Sequence, residues 1–325
     1  MILGSLKSPS LDGELILIHP NRRQAVRASS VAPCLREALE NWKTAEPKLK
    51  VLDQALRAGN APGTFDLVEK DLQSSLPRTW LFADGSAFIH HIKLVRKARN
   101  AEPPETLYTV PLMYQAECGK FLAPTAPIPQ RDFSHGTDFE AEVGVIVDDV
   151  PMGTTPEEAL KKIRLFVLIN DVSLRGLIPG ELAQGFGFFV SKPTKALSPF
   201  ALTPDELGAA WKDGRVHLPL RVELNGQFFG RANAGEMHFH FGQLIAHAAQ
   251  TRDLVAGSLI GSGTVANEDS TVGSSCLAEK RTLEQINKGK PETPFMKAGD
   301  QVKIWMEDGS GQSLFGTIEQ KVVSV

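Results

Sequence analysis

The sequence predicts a β-rich α+β fold with a small N-terminal domain, and three observations carry that prediction. From Trp80 onward, short apolar runs end in turn signals far more often than in helix signals. Glycine and proline are frequent, at 28 and 21 of 325 residues, as many short strands joined by tight turns require. Helical periodicity is concentrated before Gly59, so the regular alternation of strand and helix that a doubly wound sheet needs is missing.

Taken in order, Glu14–Ile18 and Gln24–Arg27 flank Pro20-Asn21-Arg22 and read as a hairpin. Ser29 or Ser30 can cap a following helix, with Pro33 near its first turn and Leu35, Leu39 and Trp42 at helical spacing. Pro47 restarts a second helix, which Gly59 ends. Asn60-Ala61-Pro62-Gly63 is a turn, and the polar stretch 69–78 reads as a linker. Domains of residues 1–78 and 79–325 are therefore expected. In the larger one, residues 139–147 alternate strictly and 165–169 form a short buried run. Asn225-Gly226 marks a hairpin within 221–231, and 302–307 is expected to pair with 313–319 across 308–311. Thr155 caps a helix with Pro156 in its first position, and another helix covers roughly 241–251.

Composition narrows the function. With 42% hydrophobic and 22% charged residues the chain is an ordinary globular one, and a net charge of −3 gives no basic field for nucleic acid. Cys34, Cys118 and Cys276 are odd in number and far apart, which argues against a disulfide framework or a zinc cluster. ELILI near the N-terminus is too short and too charged in its flanks for a signal peptide, and no run of about 18 apolar residues could span a membrane. A cytoplasmic location is the resulting expectation.

The chemistry concentrates in five places. In a strand over 139–147, Phe139, Ala141, Val143, Val145 and Val147 share one face, and Glu140 and Glu142 share the other with Gly144 and Ile146. An edge strand with two exposed glutamates is one reading. The other is a strand entering an interior, where two carboxylates side by side require a cation. Asp171 ends the buried run 165–169, either as a ligand on a rigid element or as the cap of the next turn. Asp84, on a turn containing Gly85, precedes His90 and His91, and a histidine near a metal suits a general base. Lys192 follows an apolar run and must reach solvent or pair with an acid. Thr264, flanked by Gly263 at a strand end, offers hydroxyl and N–H donors to a carboxylate, while the spacing fits no phosphate loop.

As an ordered set, Glu140-x-Glu142, Asn170-Asp171-x-Ser173-x-Arg175, Lys192 and Gly263-Thr264 resemble the fumarylacetoacetate hydrolase family, from about Leu81 to the C-terminus. The resemblance implies a mixed β-roll catalytic domain behind a small N-terminal one, often in a homodimer, with a divalent cation held by carboxylates. Mg²⁺ is the first expectation, Ca²⁺ or Mn²⁺ the alternatives. It implies Asp84, Glu140, Glu142 and Asp171 as ligands and His91, seven residues after Asp84, as the base that activates water. Lys192 and Arg175 would stabilise negative charge, and Tyr114, Thr264 and Ser86 would contact the substrate. Ser86 stands where the pattern has a tyrosine, Ile178 where it has a glutamine and Leu182 where it has a tyrosine. The glutamate that orients the histidine falls on Leu277, so Glu279 is the nearest acid for that role. The implied activity is hydrolytic C–C cleavage of a 1,3-dicarbonyl acid such as fumarylacetoacetate or fumarylpyruvate, in aromatic catabolism. A decarboxylase, hydratase or isomerase of a 2-oxo dicarboxylate is the rival on the same scaffold; a non-catalytic domain with a structural ion is the rival of another class.

Overall fold

A computed structural model of the chain describes residues 1–98, 102 and 105–325. A long mixed sheet runs, in spatial order, through Phe65–Asp66, Gln24–Arg27, Glu14–Ile18, Ile2–Leu6, Ala201–Leu202, Ile163–Asn170, Ala141–Val147, Leu259–Gly261, Phe82–Gly85 and Met113–Ala116. All neighbours are antiparallel except Leu259–Gly261 with Phe82–Gly85. The small N-terminal domain therefore adds its strands to the sheet of the larger one, through Ile2↔Leu202 and Leu3↔Ala201. A second sheet orders Gln227–Asn233, Pro219–Leu224, Gln301–Met306, Ile318–Ser324 and Ile128–Gln130.

Both faces of the long sheet are covered. Val143, Val145, Phe166 and Leu168 pack in one cluster with Leu220, Ile304, Ile318 and Val322 of the second sheet. Ile146, Leu165, Val167, Ile169 and Leu259 face the other way, into a cluster with Leu35, Leu39, Trp42 and Leu49 of the N-terminal helices. Each such aliphatic side chain contributes roughly 1.5–3 kcal/mol on burial. Ala141–Val147 is thus buried along its whole length, which decides between the two readings of its glutamates. Gly144 keeps that strand close to its neighbours, since a Cβ there would sit 2.7 Å from Ile169 Cδ1.

The alternating strand, the Asn225-Gly226 hairpin and the Thr155 cap form as the sequence predicts. Asn225 and Gly226 have φ of 53° and 71°, the paired left-handed geometry of a tight hairpin. Other elements differ. Ser29 and Ser30 sit in a turn; the first helix, Leu35–Glu40, starts at Cys34. Pro47 lies inside the helix Trp42–Arg57, where its missing N–H sacrifices one bond while Leu49 and Leu56 keep the helix on the core. The stretch 69–78 is tied to the body, with Leu72, Ser74, Ser75 and Leu76 buried and Gln73 N–H donating to Ser5 O. Asp84 belongs to a strand, and the partner of Gln301–Met306 is Ile318–Ser324, with Glu307 and Ser313 only bridging. Helices at Ile89–Ala98 and Leu277–Lys288 escape the sequence reading because neither begins with the usual capping residues; Cys276 caps the second.

Candidate active site

Three strands of the long sheet, two of them adjacent and the third beyond Leu259–Gly261, bring three acids together. Glu142 lies opposite Ile169, and Asp171 follows that strand directly. Asp84 pairs with Gly261, which pairs in turn with Gly144 of the Glu142 strand. Gly261 is required there, because a Cβ would fall 2.2 Å from Asp84 Oδ1. Asp84, Glu142 and Asp171 each offer an oxygen within 4.8 Å of the other two, and all three are buried. Both oxygens of Glu142 and Oδ1 of Asp171 have no hydrogen-bond partner among the described residues. Buried carboxylates without partners must be protonated or face a cation. All-oxygen donors of this kind fit a hard divalent ion such as Mg²⁺, Ca²⁺ or Mn²⁺.

The electrostatics separate the acids. Burial, then the charge of Asp171, pushes the Asp84 carboxyl up to about 8. Burial, then Asp84 and Asp171, holds Glu142 well above the usual carboxylate range. Burial acts on Glu140 in the same sense, but Arg175 and Lys192 outweigh it and hold Glu140 well below that range. Glu140 is thus the permanently ionised member, fixed by protein cations.

Both cations are engaged by these acids. Lys192 Nζ donates to Glu140 Oε2 and Asp171 Oδ2, each at 2.6 Å, and to Ser173 Oγ at 2.8 Å. An ammonium has three N–H bonds, so none remains for an oxyanion in this arrangement. Arg175 donates to Asp138 Oδ2 at 2.8 Å and Glu140 Oε1 at 2.6 Å, which makes it part of the carboxylate scaffold. Tyr114 OH donates to Asp171 Oδ2 at 2.8 Å, and the Phe188 ring meets the Tyr114 ring edge-on at 5.2 Å. Phe188 sits on a strap whose N–H groups at Phe189, Val190 and Ser191 all donate to the Glu181 carboxylate.

On the other side of Glu140 stands a histidine–carboxylate pair. His91 Nδ1 donates to Glu279 Oε2 at 2.8 Å, which leaves Nε2 as the free lone pair. Glu279 is buried in the first turn of the helix Leu277–Lys288. Leu277 at that helix start faces the core, so only Glu279 has the phase to reach the ring. His91 also approaches Glu140 and Cys276, the three ligand atoms lying within 4.8 Å of one another. His90 lines a separate cavity with Lys93, Tyr108 and His238.

Two expected residues are placed differently from the rest. The N–H that reaches Asp84 Oδ1, at 3.3 Å, belongs to Gly263, and Thr264 is buried beside it. Ser86 contributes its N–H to Leu112 O, closing the start of the His91 segment. The sequence reading missed Asp138, Lys195 and Cys276. Asp138 accepts from the N–H groups of Phe139, Leu277 and Ala278 and from Arg175. It continues the Glu140/Glu142 alternation backwards, a signal that was available. Lys195 is fully buried, with Nζ 3.2 Å from Asp171 Oδ1, close enough for charge though not aligned for a hydrogen bond. Nothing in its local sequence marks it.

The family model described as fumarylacetoacetate (FAA) hydrolase C-terminal matches residues 81–323, and that of fumarylacetoacetase N-terminal domain 2 matches residues 1–78. A 2,4-didehydro-3-deoxy-L-rhamnonate hydrolase of Sphingomonas sp. (strain SKA58) is 26% identical over 269 residues, 80% of this chain and 82% of that protein. The crystal structure of a maleylpyruvate hydrolase from Sphingobium sp. SYK-6, in complex with manganese (II) ion and pyruvate, superposes with a TM-score of 0.67. It is 14% identical and covers 100% of this chain and 99% of its own. A 5-carboxymethyl-2-hydroxymuconate delta-isomerase from Mycobacterium smegmatis gives a TM-score of 0.63 at 18% identity, with full coverage of both chains. At these identities the two structures speak for the fold alone.

Proposed function

The chain belongs to the fumarylacetoacetate hydrolase family, and from that premise we propose that it is a divalent-cation-dependent hydrolase cleaving a C–C bond in a small 1,3-dicarbonyl acid. The observation that carries this reading is the His91–Glu279 pair beside the acid cluster. A structural ion site has no use for a half-buried, carboxylate-oriented imidazole, and decarboxylation or isomerisation does not need one to activate water.

Asp84, Glu142 and Asp171 would hold the cation, with Glu140 ionised beside them. Bound there, it supplies Lewis acidity towards the oxygens of a chelating dicarbonyl. His91 Nε2 takes a proton from water while Glu279 accepts Nδ1–H and fixes the ring. The hydroxide oxygen bonds to the distal carbonyl carbon as the π pair moves onto the carbonyl oxygen, and when that C=O re-forms the bond from this carbon to the central α-carbon breaks. Its electron pair passes to the carbon next to the remaining carbonyl, which takes the proton back from His91. Lys192 and Arg175 offset the negative charge of Glu140 and Asp171, which supports Lys192 as a neutraliser more than as an oxyanion donor. Tyr114 and the Phe188 strap supply the aromatic wall of the substrate space. The family resemblance also implies a homodimer, which sedimentation would test, and a place in aromatic or sugar-acid catabolism.

The test is turnover of fumarylpyruvate, fumarylacetoacetate, maleylpyruvate and 2,4-didehydro-3-deoxy-L-rhamnonate by metal-stripped protein with and without Mg²⁺ or Mn²⁺. Metal-dependent hydrolysis that His91→Ala abolishes upholds the proposal. Loss of CO₂ from oxaloacetate or isomerisation of a 2-oxo-enoate, with none of the four hydrolysed, overturns it in favour of the lyase or isomerase branch.

A further inference from the structure

The site holds a second donor set of different chemistry. Beyond the all-oxygen triad, His91, Glu140 and Cys276 place one nitrogen, one oxygen and one sulfur within 4.8 Å of one another. We propose that these three residues form a separate site for a thiophilic divalent cation, of the Zn²⁺ or Cd²⁺ class, whose occupation silences the enzyme by taking its base. The inhibitory consequence rests on His91 being the base; the site itself does not.

The donors come from three elements and are held in place independently of any ion. Glu279 organises two of them. Its carboxylate fixes the His91 ring through Nδ1, and its backbone N–H donates to Cys276 Sγ at 3.4 Å. A ligating histidine whose other nitrogen is tied to a carboxylate is the arrangement that orients imidazole towards a metal and raises its basicity. Glu140, ionised through Arg175 and Lys192, supplies the oxygen. Cys276 is fully buried at the start of the 12-residue helix Leu277–Lys288, where the helix dipole favours a thiolate. Burial, then Asp138, nonetheless holds the free thiol well above its ordinary range, so Cys276 is protonated until a cation displaces the proton to solvent.

Softness separates the two sites. Sulfur and imidazole donors select Zn²⁺ or Cd²⁺, while carboxylates alone retain Mg²⁺ or Ca²⁺. Ligand bonds of about 2.0–2.3 Å require the three donors to close slightly, which rotation of Cys276 and of the half-buried His91 side chain permits. Asp138, Glu140 and Glu279 outnumber Arg175 and Lys192 around this position, leaving a net negative charge for the dication.

The experiment titrates Cd²⁺ into Mg²⁺-loaded full-length protein and follows the thiolate-to-cadmium charge-transfer absorbance. A saturating band at one equivalent is expected, lost in Cys276→Ser, where the serine oxygen keeps the helix cap, and in Cys276→Ala. His91→Ala should weaken Cd²⁺ binding roughly tenfold or more. A band that survives Cys276→Ser would come from Cys34 or Cys118 and overturns the site, as does the absence of any band or an unchanged affinity in His91→Ala. Turnover is read in parallel. Cd²⁺ inhibition that a chelator reverses, and that Cys276→Ser weakens, upholds both parts. Binding with turnover intact upholds the site and overturns His91 as the base.

Discussion

Proton release on metal binding is the sharpest consequence of the acid cluster. With oxygens no more than 4.8 Å apart, two ionised carboxylates repel by about 3.5 kcal/mol at an effective dielectric of 20. The rise of Asp84 from 3.8 to about 8 corresponds to about 6 kcal/mol, so one ionised neighbour and burial contribute on the same scale. At pH 6.5 the metal-free Asp84 is then about 97% protonated, and Glu142, also raised, adds up to one further proton. Binding of Mg²⁺ or Mn²⁺ at pH 6.5 should therefore expel about one to two protons, and at pH 9 the Asp84 share should fall to about 0.1. Isothermal titration calorimetry in buffers of different ionisation enthalpy counts these protons directly. The sign of the linked stability follows. A carboxyl raised in the folded state stabilises fully below its unfolded value near 4, and this is lost as pH rises towards 8, so metal-free protein weakens over that window and metal restores it. Release below about 0.3 proton at pH 6.5 would show that the acids are ionised without metal, and undiminished release at pH 9 would show that Asp84 does not titrate between these values; either result refutes the reasoning.

Three further outcomes are expected. Glu279→Gln should keep substrate affinity but lower kcat by about 10²–10⁴-fold, since the ring loses its orienting carboxylate; kcat within a factor of about 3 of the parent would remove Glu279 from the mechanism. Gly261→Ala should displace the Asp84 carboxylate and weaken cation binding by about 10-fold or more, read by the same calorimetry, whereas unchanged binding would mean that Asp84 is no ligand. Lys192→Met should destabilise the metal-free fold by about 3–5 kcal/mol in denaturant titrations, because Glu140 and Asp171 lose a buried partner; a change under 1 kcal/mol would contradict the pairing geometry.

Much of the site was legible because strand periodicity is a local property. The alternation over 139–147 and the abrupt end of the buried run at Asp171 singled out Glu140, Glu142 and Asp171, burial then decided between their two readings, and the missed Asp138 obeys the same alternation. The hairpin at Asn225-Gly226 and the cap at Thr155 were equally readable, since their chemistry acts within four residues. Helices whose first turns lack such chemistry, Ile89–Ala98 and Leu277–Lys288, were not.

What the amino-acid order determined by itself was the inventory: which acids, which histidines, and which strands could enter an interior. Tertiary structure decided the partnerships. Glu279 meets His91 across 188 residues of chain because Cys276 sets the phase of a helix, and His90, one residue away, faces another cavity. Lys195 reaches Asp171, and Gly263 rather than Thr264 supplies the N–H to Asp84, through strand registers that no local pattern encodes. The physical reason is one of range. Propensity and periodicity act over a few residues, whereas the pairing of buried charges depends on which distant segments the packed core brings within hydrogen-bond reach.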